Sequence, residues 1–309
     1  MSAALDGVLV CDKPAGMTSH DVVARVRRLA GQRRVGHGGT LDPPATGVLV
    51  IALGRATRLL PFLPTEPKRY VAAIAFGAET DTLDATGRIT GTAPVAGIDQ
   101  AAVERGLARF LGPQQQVPPM VSAVKQGGER LYLKARRGET VEREPRLVTV
   151  HALELRGFQP GPLPCATVAV TCSGGTYVRV LAADLGRALG SLAHLVSLRR
   201  TAVGAFTEAE AHTLEELETL ARPARDGGAA ARGAPGHGAF QSVVIGPAAA
   251  MRSVSVRSLS AGEAAALATG QSLEPTGLGE PVAALAPDGR LIAVIQDGAG
   301  RARPKVVLA

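Results

Sequence analysis

The chain has 309 residues, 46% of them apolar and 20% charged, with a formal net charge of +7. This composition excludes a disordered chain, and the length exceeds what one compact core usually serves, so a large domain followed by a small one is expected. The charge is uneven: residues 1–207 hold 25 Lys and Arg against 16 Asp and Glu, whereas Glu208 to Leu220 carries five glutamates and no Lys or Arg. Such a basic surface suits a polyanionic partner such as a nucleic acid, and equally an ordinary solvated face. Cys11, Cys165 and Cys172 are odd in number, lack C-x-x-C spacing and sit in apolar runs, so buried, reduced thiols are expected. There is no charged leader before a long apolar stretch and no run of membrane-span length, which points to a cytoplasmic protein.

In chain order, Gly7 to Asp12 reads as a strand closed by the turn Lys13-Pro14-Ala15-Gly16. Thr18 or Ser19 can cap a helix whose apolar positions Val22, Val23, Val26 and Leu29 recur at helical spacing. Its other face begins an arginine series (Arg25, Arg27, Arg28, Arg33, Arg34, Arg55, Arg58) in which Asp42 is the one carboxylate between Val22 and Thr65. An acid in so positive a neighbourhood stays ionised, ready to attack or to accept a proton. Asp42 lies in Gly36-His37-Gly38-Gly39-Thr40-Leu41-Asp42-Pro43-Pro44-Ala45-Thr46-Gly47, where glycines permit close approach and Asp-Pro-Pro fixes the exit. An aspartate before proline in a glycine-rich loop is also an ordinary turn residue.

Val48 to Leu53 reads as a buried strand and Thr57 to Leu63 as a short helix. Lys68 to Gly77 reads as a strand bearing Tyr70, followed by a polar loop with acids at Glu79, Asp81 and Asp84 whose spacing does not match a calcium loop. Asp99 can cap a helix running to about Leu111. A basic segment from Lys125 to Arg137 reads as an insertion-like arm, and Arg146 to Phe158 and Cys165 to Ser173 read as strands. A helix follows through Leu181, Leu185 and Leu189. Residues 222–240 have the composition of a linker, and Val254 to Ala309 that of a small, mostly β module. With three tyrosines and no tryptophan, each phenol is informative: Tyr70, Tyr132 and Tyr177 are either core residues or platforms for an unpaired base.

The Gly36–Gly47 string resembles the catalytic loop of the TruB family of tRNA pseudouridine synthases, close to G-H-x-G-x-L-D-P-x-A-x-G. Further similar strings are Lys-Pro-x-Gly-Met-Thr-Ser from Lys13, the Tyr70 strand with its T-D-T-x-D loop, and Gln116-Val-Pro-Pro. Ser122-Ala-x-Lys, Leu131-Tyr132 with Ala135-Arg136, Gly175-Thr-Tyr-Val-Arg179 and His194-x-x-x-Leu198-Arg-Arg also match. Val121 departs from the aromatic many members carry. The resemblance implies an α+β fold: a mixed, mainly antiparallel sheet with flanking helices over 1–221, an arm at about 113–145, a 222–240 linker, and a PUA-like domain over 241–309.

It also implies the reaction: isomerisation of uridine 55 in the T arm of tRNA to pseudouridine. Asp42 is then the nucleophile, attacking either sugar or base; Tyr70 stacks on the base and takes part in proton removal; Arg179 is the aspartate's partner. His37, Tyr177 and Leu198 contact the nucleotide, while Arg33, Arg34, Lys125 and Arg136 are candidates for gripping phosphates. His194 reads as structural. No cofactor, metal, membrane or obligatory protein partner is expected, and the default state is a monomer. The rival readings are a same-fold enzyme acting on another RNA and an RNA-refolding protein whose catalysis is incidental.

Overall fold

The computed structural model describes residues 4–120, 125–126, 129–130, 137, 139, 141–222 and 237–308. The chain divides into two compact units, residues 1–65 with 203–309, and residues 66–202.

In the first unit the Gly7–Lys13 strand runs antiparallel to Thr46–Leu53, with Val10 opposite Val50, and parallel to the short His212–Thr213 strand. Val35–His37 lies antiparallel on Thr46–Leu53. Both long strands are continuous apolar runs because both of their faces are covered. Val8, Val10, Val48 and Val50 point into one core with Ala56, Leu59 and the terminal residues Ala283, Leu291, Val294 and Val306. Leu9, Cys11, Leu49 and Ile51, one residue out of phase, point into another beneath Val22, Val23 and Val26. Those valines belong to the Ser19–Leu29 helix, whose cap is Thr18: its hydroxyl accepts from the Asp21 N–H while the Asp21 carboxylate accepts from the Thr18 N–H.

The C-terminal strands form a four-stranded sheet in the order Ser255–Ser258, Val282–Leu285, Leu291–Gly298, Arg301–Val307. Its first pair is parallel and the others antiparallel. The module read as mostly β also holds an alanine-rich helix, Ala261–Ala268, started by a Ser260–Glu263 capping box. Residues 223–236 of the expected linker lie outside the described residues; beyond them the His237–Gln241 helix buries Phe240 in the core under Val22 and Val26.

The second unit is built on strands in the order Ala193–Val203, Lys68–Phe76, Cys165–Cys172, Arg146–Gln159, Gly112–Gln116. From Lys68–Phe76 onward each pair is antiparallel, with Tyr70 opposite Val170. Buried Leu107 on the Gln100–Ala108 helix, capped by Asp99 as expected, and buried Leu181 and Leu185 on Val178–Ala188 supply the helical part of its core.

Three elements differ from expectation. The helix expected over 57–63 is a 3-10 turn, Gly54–Leu59, begun by a left-handed glycine (Gly54, φ 59°) and followed by Pro61 and Pro64, which cannot continue an α-helix. The helix expected to reach Leu111 ends at Ala108, because Gly112 (φ 93°) turns the chain into the next strand. Cys165, at a strand end, is half-buried where full burial was expected.

Candidate active site

The Asp42 loop is held by residues far from it in sequence. The Asp42 carbonyl accepts from the Ala45 N–H, so the turn expected of Asp-Pro-Pro is present, and the side chain itself is half-buried. Immediately before it, Leu41 is fixed through both backbone groups by the fully buried Ser19 hydroxyl, which accepts from the Leu41 N–H at 2.9 Å and donates to its carbonyl at 3.2 Å. Immediately after it, the Pro43 carbonyl accepts from the Gly16 N–H at 2.9 Å and from the Lys13 ammonium at 3.1 Å. Lys13 is fully buried and also donates to the Pro14 carbonyl. The Lys-Pro-x-Gly-Met-Thr-Ser string is therefore the loop's clamp, and it places a buried cation at the residue next to Asp42. Gly39 (φ 104°) and Gly47 (φ 99°) bracket the loop in backbone conformations that other residues resist. His37, opposite Ile51 in its strand, meets His20 edge to face with ring centres 5.2 Å apart.

Tyr70, Tyr177, Arg179 and Leu198 belong to the second unit. Tyr70 is almost completely buried in its strand, and its hydroxyl is hydrogen-bonded to the Arg200 guanidinium, itself 1% exposed. Burial pulls Arg200 below the usual arginine range, and the Tyr70 oxygen opposes that pull. Lys68 is likewise held below the usual lysine range, by burial first and then by Arg200, with Glu66 opposing. Leu198, half-buried, lies two residues before Arg200 in the Ala193–Val203 strand.

Tyr177, half-buried, caps the Val178–Ala188 helix. Its backbone is gripped at both ends by buried Gln116, whose carbonyl oxygen accepts from the Tyr177 N–H at 2.8 Å and whose amide donates to the Tyr177 carbonyl at 3.2 Å. Arg179 is buried, donates to the Thr82 carbonyl at 2.8 Å and lies 3.5 Å from the Asp84 carboxylate. The other Asp84 oxygen accepts from the Thr82 and Thr86 hydroxyls and the Thr86 N–H. The T-D-T-x-D segment is thus a cradle for an arginine. The remaining acids of that loop also face cations, Glu79 with Arg187 and Asp81 with Arg88. His194 is structural as expected, its Nδ1 2.9 Å from the Ala78 carbonyl.

The arginine series serves two ends. Arg25 pairs with Glu218 and Arg55 with Asp6, while Arg27 donates to the carbonyls of Arg33 and Val35 and Arg58 to that of Val307. Arg28, Arg33 and Arg34 are exposed, and among the described residues their side chains make no ion pair. Val121, Tyr132 and Arg136 lie outside the described residues, and of Lys125 only the backbone is described, opposite Arg130 in a short hairpin. Among the described residues no group of three His, Cys, Asp or Glu is arranged to hold a metal ion, and no helix is long and apolar enough to cross a membrane. Nothing in the sequence shows what Lys13, Gln116 and Arg200 hold, and it offers Ser19 only as a helix cap and Asp84 only as one of three loop acids, although each lies within one of the strings quoted above.

Family models cover most of the chain. One described as "TruB family pseudouridylate synthase (N terminal domain)" matches residues 27–178. Those described as "tRNA pseudouridylate synthase B C-terminal domain" and "tRNA Pseudouridine synthase II, C terminal" match 179–232 and 255–309. The protein named tRNA pseudouridine synthase B from Thermobifida fusca (strain YX) is 48% identical over 311 residues, covering 98% of this chain and 99% of its own. Its namesake from Symbiobacterium thermophilum is 55% identical over 213 residues, covering 69% and 71%. Among solved structures, the chain titled "Crystal Structure of a Cbf5-Nop10-Gar1 Complex" is 26% identical with a TM-score of 0.71, covering 98% of this chain and 85% of that one. A chain from "Structure of H/ACA RNP bound to a substrate RNA containing 2'-deoxyuridine", 22% identical at a TM-score of 0.71 and the same coverages, has the same fold. With its loop motif intact and a full-length relative at this identity, the chain belongs to the TruB family of pseudouridine synthases.

Proposed function

We propose that this protein converts uridine 55 in the T arm of tRNA to pseudouridine, acting on a nucleotide turned out of its stack. The observation that carries the reading is the Asp42 loop, clamped on both sides of the aspartate by Ser19 and Lys13 and present in a chain whose full-length relative is named tRNA pseudouridine synthase B. The reaction breaks the bond from the sugar to N1 and remakes it to C5, with no net redox change and no donated group. It requires a nucleophile, a group to take the C5 proton and a pocket for a flipped base.

In this reading Asp42 is the nucleophile, Tyr70 stacks on the uracil and assists proton removal, and Arg179 holds and tunes the aspartate. Tyr177, Leu198 and His37 position the nucleotide, and Arg33, Arg34, Lys125 and Arg136 grip phosphates. The environments of Tyr70 and Arg179 support these roles. A phenol hydrogen-bonded to a buried guanidinium has its ring orientation fixed, and an arginine seated on Asp84 and the Thr82 carbonyl is pre-positioned. The protein works as a cytoplasmic monomer, without cofactor or obligatory protein partner. Its catalytic region spans 1–221, and a PUA-like module, 241–309, follows the 222–240 linker.

The test is pseudouridine mapping on an unmodified tRNA transcript. Wild type is expected to modify the T-arm uridine and Asp42→Asn to modify nothing while still binding. Equal modification by both proteins removes the catalytic assignment, and binding by wild type without modification favours an RNA-refolding protein.

A further inference from the structure

A cavity of about 470 Å³ opens in the unit that carries Asp42, lined by Arg33, Arg34, Val35, Gly36, Thr57 and Arg58. Three of the six lining residues are cations and none is an acid. Elsewhere in the same unit, arginines of the same series are neutralised, Arg25 by Glu218 and Arg55 by Asp6. Here Arg33, Arg34 and Arg58 make no ion pair among the described residues; the Arg33 and Arg34 side chains are exposed, and Arg58 donates to the neutral Val307 carbonyl. Three cationic residues lining one hollow repel one another, a cost that a bound anion would reverse.

The frame is rigid. The Arg33 carbonyl accepts from Arg27 Nε, the Arg34 carbonyl from the Gly54 N–H, and Val35 and Gly36 are laddered to Leu53 and Ala52. The Thr57 hydroxyl proton is committed to the Gly54 carbonyl, so ligand binding rests on the guanidiniums. Their planar forks match a tetrahedral phosphate better than a point charge does.

We propose that this cavity is a seat for one phosphodiester of the RNA backbone, gripped by Arg33, Arg34 and Arg58 and serving binding rather than chemistry. The proposal rests on the RNA-modifying reading above and adds to it a discrete site that includes Arg58.

The experiment measures binding of an unmodified tRNA transcript between 50 and 400 mM NaCl, in an Asp42→Asn background so that turnover does not intervene. Adding Arg33→Ala with Arg34→Ala is expected to weaken binding by about ten-fold at 100 mM salt. It also lowers the slope of log Kd against log salt by about 0.7–0.9, the loss of one neutralised phosphate. Adding Arg58→Ala instead weakens binding in the same direction, and Arg33→Lys with Arg34→Lys keeps the slope. Gln in place of Ala at both positions serves as a second neutral pair should the alanine variant melt early. Unchanged slope and affinity in a folded neutral pair overturn the proposal. Pseudouridine mapping of wild type runs in parallel: product formed with an unchanged slope removes this site alone. A changed slope with no product keeps the site and removes the isomerase.

Discussion

Asp42 depends on a serine hydroxyl as much as on its own loop. Ser19 is buried and satisfies both backbone groups of Leu41, which is itself buried, so Ser19→Ala leaves an N–H and a carbonyl without partners. Each orphaned group costs about 1–3 kcal/mol, and the expected result is a lower urea midpoint together with slower single-turnover modification. An unchanged midpoint and rate would show that the loop holds itself. Thiol chemistry gives a second residue-scale prediction. Burial pushes Cys11 up to about 12 and Cys172 up to about 11; it also raises Cys165, against a backbone hydrogen bond from Ile74, but that thiol is only half-buried. At pH 8 the native protein is therefore expected to release one equivalent promptly from a disulfide reagent, at Cys165, and all three only when unfolded. Peptide mapping that finds label at Cys11 or Cys172 in the native state would contradict this. At this scale the resemblance marked Asp42, Tyr70, Tyr177 and Arg179 as candidates, because their strings are specific. It did not show what Lys13, Gln116 or Ser19, offered only as a helix cap, would hold, because each acts on backbone atoms 22 to 61 positions away and nothing in residue type announces a carbonyl as its target. The three acids at Glu79, Asp81 and Asp84 did not match a calcium loop in spacing, and in the structure each faces its own arginine.

Helices in the second unit meet neighbours across glycines, and two of these glycines separate steric effects from intrinsic ones. A Cβ on Gly186, in the Val178–Ala188 helix, would lie 2.6 Å from both the Ala193 Cβ and the Ala193 backbone nitrogen. A Cβ on Gly106, in the Gln100–Ala108 helix, would lie 2.9 Å and 3.0 Å from the ends of the Leu185 and Leu189 side chains. Alanine gains about 1 kcal/mol of helix propensity at either site. Backbone cannot step aside, so Gly186→Ala is expected to destabilise by about 1–3 kcal/mol, whereas leucine tips can rotate and Gly106→Ala is expected to stay within about 1 kcal/mol of wild type. Chemical denaturation of the two variants checks the order, and a more damaging Gly106→Ala would refute it. Most elements were legible: apolar runs located the long strands, and helical spacing with a capping residue located the helices at Thr18 and Asp99. The Gly54–Leu59 turn and the Ala261–Ala268 helix were not, since a stretch as short as Gly-Arg-Ala-Thr-Arg-Leu carries too few apolar positions to show a period and an alanine-rich helix carries little apolar stripe.

For the whole molecule, the carboxyls whose titration is shifted by folding are lowered in one unit, and the one raised carboxyl among the described residues lies in the other. In the unit formed by residues 1–65 and 203–309, Glu210 is held below the usual carboxylate range chiefly by hydrogen bonds from Arg252, which also stacks 4.7 Å from the Phe206 ring centre. Asp21 and Glu263 are held low by their capping boxes, Asp288 by Arg290, and Asp297 by the Thr276 and Gly277 N–H groups. A carboxyl whose pKa is lower folded than unfolded releases its proton more readily in the folded state. Its contribution is complete above the ordinary range of about 3.9–4.3 and disappears as pH falls through the folded value. In the other unit, Asp184 is raised by burial, against the pull of Arg187, so protonation favours its folded form and acid relieves a cost there. These carboxyls are largely exposed in the first unit, so each effect is small and their common direction is what matters. Hydrogen-exchange protection factors compared at pH 7 and pH 3.5 are therefore expected to fall further in peptides from 4–65 and 237–308 than in peptides from 66–120 and 141–202. Protection lost first from the 66–202 unit would show that packing within each unit, and not the paired carboxylates, sets the acid limit.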